Sequence, residues 1–375
     1  MIKLIERVEA ERERRGISFG KIESITGISS SVICDGLSGK TKEMRLENFI
    51  SIVNVIYDKI LERSTYINRF ISLMENDKNK IKALFFLQAQ GEYELLDKLI
   101  LTYSTSKAMK SYLSIFEFYN LRNMGIKNGQ ELEIELDKSR FSTLPECQVL
   151  VNLLYGFCMY DIPNVQSMMT YSERAGRYLE KVENSFVKDC LKMMYKERLA
   201  FIKLLSDEVE ESRAVCWDII NSETPYKIIQ ASAYGCLGEG FQFECVSTAE
   251  KYLLKGLDII AANGIDRYSR KYKAFHTTLA HIYLDNSFNL EKINHQYLDV
   301  GEEAHLQLKF GDAQIGEKMY LEMEKTGKLS PHRRFSRAKV KGDMKELKRV
   351  LVEFERIGNI FYANGVKNIL ITEEV

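Results

Sequence analysis

His276 and His281 lie five residues apart, one more than the i, i+4 spacing that sets two imidazoles on one helical face for a zinc ion. No HExxH run accompanies them, and His295, His305 and His332 stand alone. Gly39-Lys40-Thr41 has the tail of a phosphate-binding loop without the glycine that must open it. Carboxylate pairs such as Glu302-Glu303 fall in charged helical stretches, where a solvated face is the ordinary arrangement. Neither a nucleophile elbow nor a dinucleotide fingerprint occurs. The residue types that catalysis uses are present, but their spacing is wrong. Neither an enzyme nor a metal or other cofactor is expected.

A different chemistry fits residues 24–41, SITGISSSVICDGLSGKT. Gly27 accepts the positive φ of a tight turn, and Ile28 can plug the angle between two helices. Ser29 is a good N-cap and Gly39 a good C-terminal stop for a short helix carrying Ile33 and Leu37 on one side. Its other side offers Ser30, Ser31, Cys34 and Asp35, with no arginine. Lys21 lies near the start of the preceding helix, and Lys40, Lys42 and Arg45 cluster in the loop just after. Those are positions from which a helix-turn-helix grips phosphates on either side of a groove, while Ser29, Ser30, Ser31 and Asp35 approach the bases. Asp35 can accept from cytosine N4. A single such head binds weakly, so specific recognition of operator DNA calls for a dimer. A purely structural cap of three or four helices is the competing reading.

The elements around this motif are helical. Ile2, Leu4, Ile5 and Val8 form one stripe closed by Gly16, and Phe19, Ile22 and Ile25 follow a Ser18 cap. Leu46, Phe49, Ile50, Val53 and Ile56 recur at three and four as a core-facing helix requires. Residues 1–60 therefore read as a Cro-like helix-turn-helix domain and 61–82 as a connecting helix. Beyond them apolar residues keep helical spacing for nearly the whole remaining chain. The four prolines, Pro145, Pro163, Pro225 and Pro331, sit where helices should begin.

In AYGCLGEGFQFECVSTAEKYLLKGLDII, Tyr234, Leu237, Gly238 and Phe241 are followed by Ala249, Leu253 and Gly256 in the large-and-small spacing of a tetratricopeptide repeat. Weaker copies begin at Ala83, Leu153, Glu197 and Arg337, with a period drifting around forty residues. The expected fold is all-α, a head followed over 83–375 by a degenerate tetratricopeptide-like superhelical solenoid whose concave face takes an extended peptide.

The chain has 375 residues, 45% of them hydrophobic, and balances 53 Lys+Arg against 53 Asp+Glu, so bulk charge favours neither nucleic acid nor anionic membrane. Its seven cysteines never form CxxC and read as buried thiols of a reducing cytoplasm. No apolar run reaches membrane-spanning length, so no membrane partner is expected and the bacterial host cytoplasm is the expected location.

A Cro-like head joined to such an array resembles the peptide-responsive regulators of Gram-positive bacteria and their phages. The similarity is strongest to the arbitrium receptors of temperate phages. It is carried by SVICDGLSGKTKEMRLENFISIVNVI, ALFFLQAQGEYELLDKLI, LGEGFQFECVSTAEKYLLKGL and DVGEEAHLQLKF (299–310), in order. The resemblance implies a homodimeric transcription regulator that binds a short secreted peptide in the repeats and changes occupancy of a promoter deciding lysis or lysogeny. It assigns peptide contacts to Glu302, to Asn359 where the family carries Asp, and to Lys227 where it carries Arg. Leu205 and Val209 stand where the family has an asparagine pair, and the tail NILITEEV is shorter than usual. These departures imply a different peptide specificity. The alternative is a repeat adaptor gripping a protein partner without DNA binding, a class whose relatives lack the Gly27–Ser29 turn.

Overall fold

A computed structural model describes residues 1–127, 129–222, 226–265 and 269–373. Among them are twenty-one α-helices, two short 3-10 turns and no strand.

The head opens with α1 (Ile2–Arg14), α2 (Phe19–Thr26), α3 (Ser30–Leu37), α4 (Leu46–Ile56) and α5 (Ile60–Ser72). The apolar stripe of α1 buries Leu4, Ile5 and Val8, and Ile2 stays 67% exposed. Ser18 caps α2 by accepting from the Lys21 amide at 3.1 Å. Gly27 ends that helix at φ +71°, a conformation glycine adopts without steric cost. Ile33 and Leu37 face the core. Ser29 occupies the cap position of α3, but its side chain makes no capping bond and pairs with the Ser31 hydroxyl at 3.2 Å. The Glu23 carboxylate caps instead, taking the Ser30 amide at 3.2 Å and its hydroxyl at 2.5 Å.

The single connecting helix expected over 61–82 is two helices. Phe70 stacks on Phe49 at 4.0 Å and Tyr66 on Tyr57 at 4.4 Å, so α5 belongs to the head. A turn follows, and Asn76 starts α6 (Asp77–Gln90) by accepting from the amides of Lys78 and Asn79.

The rest stacks as helical hairpins. α6 pairs with α7 (Tyr93–Thr102) across Gly91, and α8 (Lys110–Asn123) and α9 (Gly129–Lys138) follow. Then come α10 (Pro145–Asp161) with α11 (Val165–Leu179), α12 (Ser185–Leu205) with α13 (Val209–Ile220), and α14 (Lys227–Gly240) with α15 (Val246–Ala262). Next are α16 (Arg270–Asn286), α17 (Val300–Phe310) and α18 (Ala313–Lys325). The array closes with α19 (Pro331–Lys341), α20 (Met344–Arg356) and α21 (Ile360–Glu373). Each repeat expected from sequence is one of these hairpins.

The small residues do what the repeat spacing requires. A Cβ at Gly238 would lie 2.6 Å from Leu253 Cγ, and one at Gly256 2.4 Å from the Phe275 ring. Helices α14, α15 and α16 therefore meet at distances only glycine permits. One hydrophobic core runs unbroken from Leu4 to Leu370, and Ala304, Tyr320 and Met323 form a satellite under α17 and α18.

Pro145 and Pro331 open α10 and α19 as expected. Pro163 lies in the turn before α11 rather than in its first turn, where Asn164 caps. Pro225 lies outside the described residues. Five cysteines are buried as expected, but Cys34 is half-buried and Cys245 exposed at the start of α15.

Candidate functional site

The first helices of successive hairpins, α10, α12, α14 and α16, line a groove along the inner face of the stack. Its deeper cavity, about 140 Å³, is walled by Phe157, Tyr160, Arg198, Phe201, Ile228, Glu239, Lys271 and Phe275 among others. A second cavity of about 350 Å³ adjoins it through Tyr160, Glu239 and Arg270, and reaches His281, Glu302, His332, Asn359 and Tyr362.

Charge is concentrated where burial is greatest. Asp161 accepts from Arg122 at 2.9 Å and from Arg270 at 2.6 Å. Burial pushes its carboxyl up, but the two guanidiniums outweigh that and hold it at about 2. Glu197 pairs with the Lys271 ammonium, which also reaches the Ser232 hydroxyl. Burial likewise opposes ionisation of Glu197, and the Lys271 and Arg198 charges override it.

Two groups are left with capacity to spare. Arg198 is 4% exposed and lies over Phe157 at 4.1 Å, with the Glu197 carboxylate at 3.7 Å. Its Nε and Nη1 are buried with no acceptor among the described residues. In the second cavity, Glu302 Oε2 is buried with no donor. Burial drives the Glu302 carboxyl well up, and the neighbouring Asp299 adds to the shift. Between them Glu239 is half-buried, accepts from the Tyr362 hydroxyl at 3.3 Å, and is pushed up by burial to about 7. Unpaired buried donors at one end and carboxyls that burial pushes above their ordinary range at the other cost stability, which marks a surface kept for a ligand.

Of the peptide contacts expected from sequence, Glu302 and Asn359 meet in this second cavity. Asn359 is 2% exposed, accepts from the Tyr362 amide at 3.3 Å and sits 3.5 Å from His332 Nε2. Burial holds His332 near 3, so its ring is neutral at pH 7. Leu205 forms an apolar part of the same wall. Lys227 is elsewhere. Its ammonium reaches the Ser64 hydroxyl of α5 and lies 3.7 Å from Glu92, beside a separate cavity of about 290 Å³ between head and repeats. Asp161, Glu197, Arg198, Glu239, Arg270 and Lys271 were not expected. The signal for Arg198 was its place in register with Met194 and Phe201 on the inward stripe of α12, where an apolar residue belongs.

On the head, Lys21, Ser29, Ser31, Asp35, Lys40, Lys42 and Arg45 are exposed and Ser30 is half-buried. Lys40 lies 3.3 Å from Asp35 and Lys42 2.7 Å from Glu75. Glu43 and Asn79 tie the loop after α3 to α6: Glu43 takes the amides of Glu75 and Asn76, and Asn79 bridges Glu43, Met44 and Leu46. Among the described residues, no cluster of His, Cys, Asp and Glu suits a metal ion, and no helix is long and apolar enough to cross a membrane.

The family model described as AimR transcriptional regulator-like matches residues 62–370, which hold the whole groove. The chain belongs to this family. Its members are regulators and not enzymes. An uncharacterized protein of Bacillus anthracis is 26% identical over 258 residues, spanning 67% of this chain and 95% of that one. Among solved structures, phAimR with its ligand superposes with a TM-score of 0.75 at 15% identity, over 90% of this chain and 99% of that one. Selenomethionine phAimR matches with a TM-score of 0.62 at 14% identity, over 99% and 97%. The AimR-like chain thus shares the superhelical fold of those structures, and the match of the family model covers its charged groove from Gln88 to Tyr362.

Proposed function

We propose that the AimR-like chain is a peptide-gated transcriptional regulator that binds operator DNA as a dimer and senses a short signalling peptide in its repeat groove. The observation that carries this reading is the pairing of unsatisfied groups along one groove: free buried N–H donors on Arg198 and a free buried acceptor on Glu302. A peptide is a ligand that brings both complements at once. Its terminal carboxylate suits the Arg198 guanidinium, which can give two parallel bonds. A cationic side chain suits Glu302 and Glu239. The tight, mostly apolar walls around Phe157, Phe201 and Phe275 favour small residues between those ends.

In the head, the hydroxyls and carboxylate of α3 face outward with Lys21, Lys40, Lys42 and Arg45 around them, an arrangement suited to a helix lying in a major groove. Surface pairs such as Lys40–Asp35 contribute little, so phosphates displace them readily. Val352 and Ile371, exposed on the last two helices, offer apolar surface for a second copy, which supplies the second head.

The test uses a panel of synthetic hexapeptides, each with one internal arginine, made with free and with amidated C-termini. Peptides with both charges should raise the melting temperature of the full chain. Amidation or Arg198→Leu should abolish the rise, and Glu302→Gln should reduce it. A panel that never shifts melting, or a shift indifferent to all three changes, overturns the peptide reading.

A further inference from the structure

The outward face of α3 is polar except at one position. Ile33, Gly36 and Leu37 turn inward, and Ser31, Asp35 and Ser38 turn outward. Val32, on the flank of that outward face, is 45% exposed and is the one large hydrophobic residue of this helix left in solvent. The rotation of α3 is held by its buried Ile33, Gly36 and Leu37, with the Met44 methyl packed 2.1 Å from where a Cβ at Gly36 would stand. Its first turn is fixed too, since Glu23 holds both the amide and the hydroxyl of Ser30. Ser30 is thereby occupied, and direct contact with bases falls to Ser31, Val32 and Asp35.

We propose that Val32 is a specificity-determining residue that selects thymine by packing its branched side chain on the C5-methyl group. This rests on the DNA-binding reading above. No arginine or lysine lies on this face, so the bidentate grip on guanine O6 and N7 is absent. What remains beside the Ser31 hydroxyl is a carboxylate, which accepts from cytosine or adenine amino groups, and an apolar surface, whose complement in the major groove is the thymine methyl. Residues three apart on a helix are neighbours about 5–6 Å apart, against a base-pair rise of about 3.4 Å. Val32 and Asp35 therefore read positions one or two steps apart, and the half-site carries a thymine within two steps of a cytosine or adenine. The basic residues flanking α3 supply the phosphate contacts that bring the valine to the groove floor.

The experiment selects binding sites for the full-length protein from a random-sequence duplex pool, then replaces each thymine of the best duplex by uracil, which lacks only the methyl group. With wild type, uracil should weaken binding about three- to five-fold for each half-site substituted, the value of one buried methyl-sized group. Val32→Ala should bind the thymine duplex that much more weakly and be indifferent to uracil, with an unchanged melting temperature and salt dependence. If wild type tolerates uracil at every position, or if Val32→Ala keeps the same uracil penalty, Val32 is not the reader. If wild type enriches no sequence at all, the DNA-binding reading fails and this proposal falls with it.

Discussion

Glu239→Gln should stabilise the folded chain at neutral and alkaline pH and leave it unchanged in acid. Burial holds this carboxyl at about 7 in the folded chain against its ordinary 4.5. Below pH 4.5 the group is protonated whether folded or not and contributes nothing to pH dependence. Between 4.5 and 7 the unfolded chain ionises while the folded one keeps its proton, so wild-type stability falls as pH rises. The loss is complete above 7. A difference of 7 minus 4.5, at about 1.36 kcal/mol per unit, makes it about 3 kcal/mol. Glutamine fits the same space, still accepts from the Tyr362 hydroxyl and does not titrate, so it recovers that amount. Urea unfolding followed by circular dichroism at pH 4.5 and 8 measures it. An equal effect at both pH values, or none at pH 8, would refute the assignment of a protonated carboxyl in the groove. The same proton couples to the ligand. Binding a cation requires the carboxylate, so wild-type affinity for an arginine-bearing peptide should drop up to tenfold per unit as pH falls below 7. Glu302, also pushed up by burial, acts in the same direction. The Glu239→Gln variant should bind more weakly at pH 8 and show a shallower pH profile.

Glu302→Gln removes charge and keeps shape, and should lower peptide affinity about ten- to a hundred-fold, as expected for a charge-assisted bond of about 1.5–3 kcal/mol. Glu303→Gln is its control, and calorimetry placing both within two-fold of wild type would return Glu302 to a structural role. Arg198→Leu should abolish binding of free-carboxylate peptides without destabilising the fold, since leucine still packs on Phe157 and Glu197 keeps Lys271; a large loss in melting temperature would show instead that it is a structural ion. Lys40→Ala with Lys42→Ala should weaken binding to every duplex and reduce the salt slope by about one unit per lost phosphate contact. A gel shift with wild-type slope would remove those lysines from the interface. Lys227→Met should leave peptide affinity intact while erasing the effect of peptide on DNA binding; loss of peptide affinity would put Lys227 back in the groove.

The head and the hairpins were legible because their signals are local. Ile33 and Leu37 lie four residues apart on one helix, and Gly27 marks its own turn through its backbone. The break inside 61–82 was legible and missed: Asn76 is a good N-cap residue, and residues 75–80, ENDKNK, form a polar run between two apolar stripes. Glu302 and Asn359 came from resemblance, and the cavity that joins them depends on α17, α19 and α21 converging. The rest of the groove is held by pairings that no window of sequence contains. Asp161 meets Arg270 across 109 residues, and Glu197 meets Lys271 across 74. Such charges read as solvated faces until the fold brings partners to them. Lys227 was assigned through the same resemblance, and it stands at the N-terminus of α14 beside the head.

That position gives α14 two loyalties. Ile228, Ser232, Gly235 and Glu239 look into the groove, and Lys227 at the start of the same helix reaches Ser64 of the head. Gly238 packed on Leu253 and Gly256 on Phe275 leave no slack between α14, α15 and α16, so a displacement at Glu239 cannot be absorbed locally and must carry to Lys227. On the head side the contact is loose, with a cavity of about 290 Å³ lined by Ile50, Ile60, Arg63 and Ile67 of α4 and α5. The opposite side of the head is fastened by the Glu43–Asn79 bonds. Held at one edge and touched by α14 across a cavity at the other, the head would move most readily by rotating about the held edge. Under the proposed reading this rotation is what a peptide in the groove would bias, and in a dimer it would alter the spacing of two reading helices more than their individual contacts. Operators with altered half-site spacing should therefore shift the response to peptide, whereas operators with altered bases should shift affinity alone.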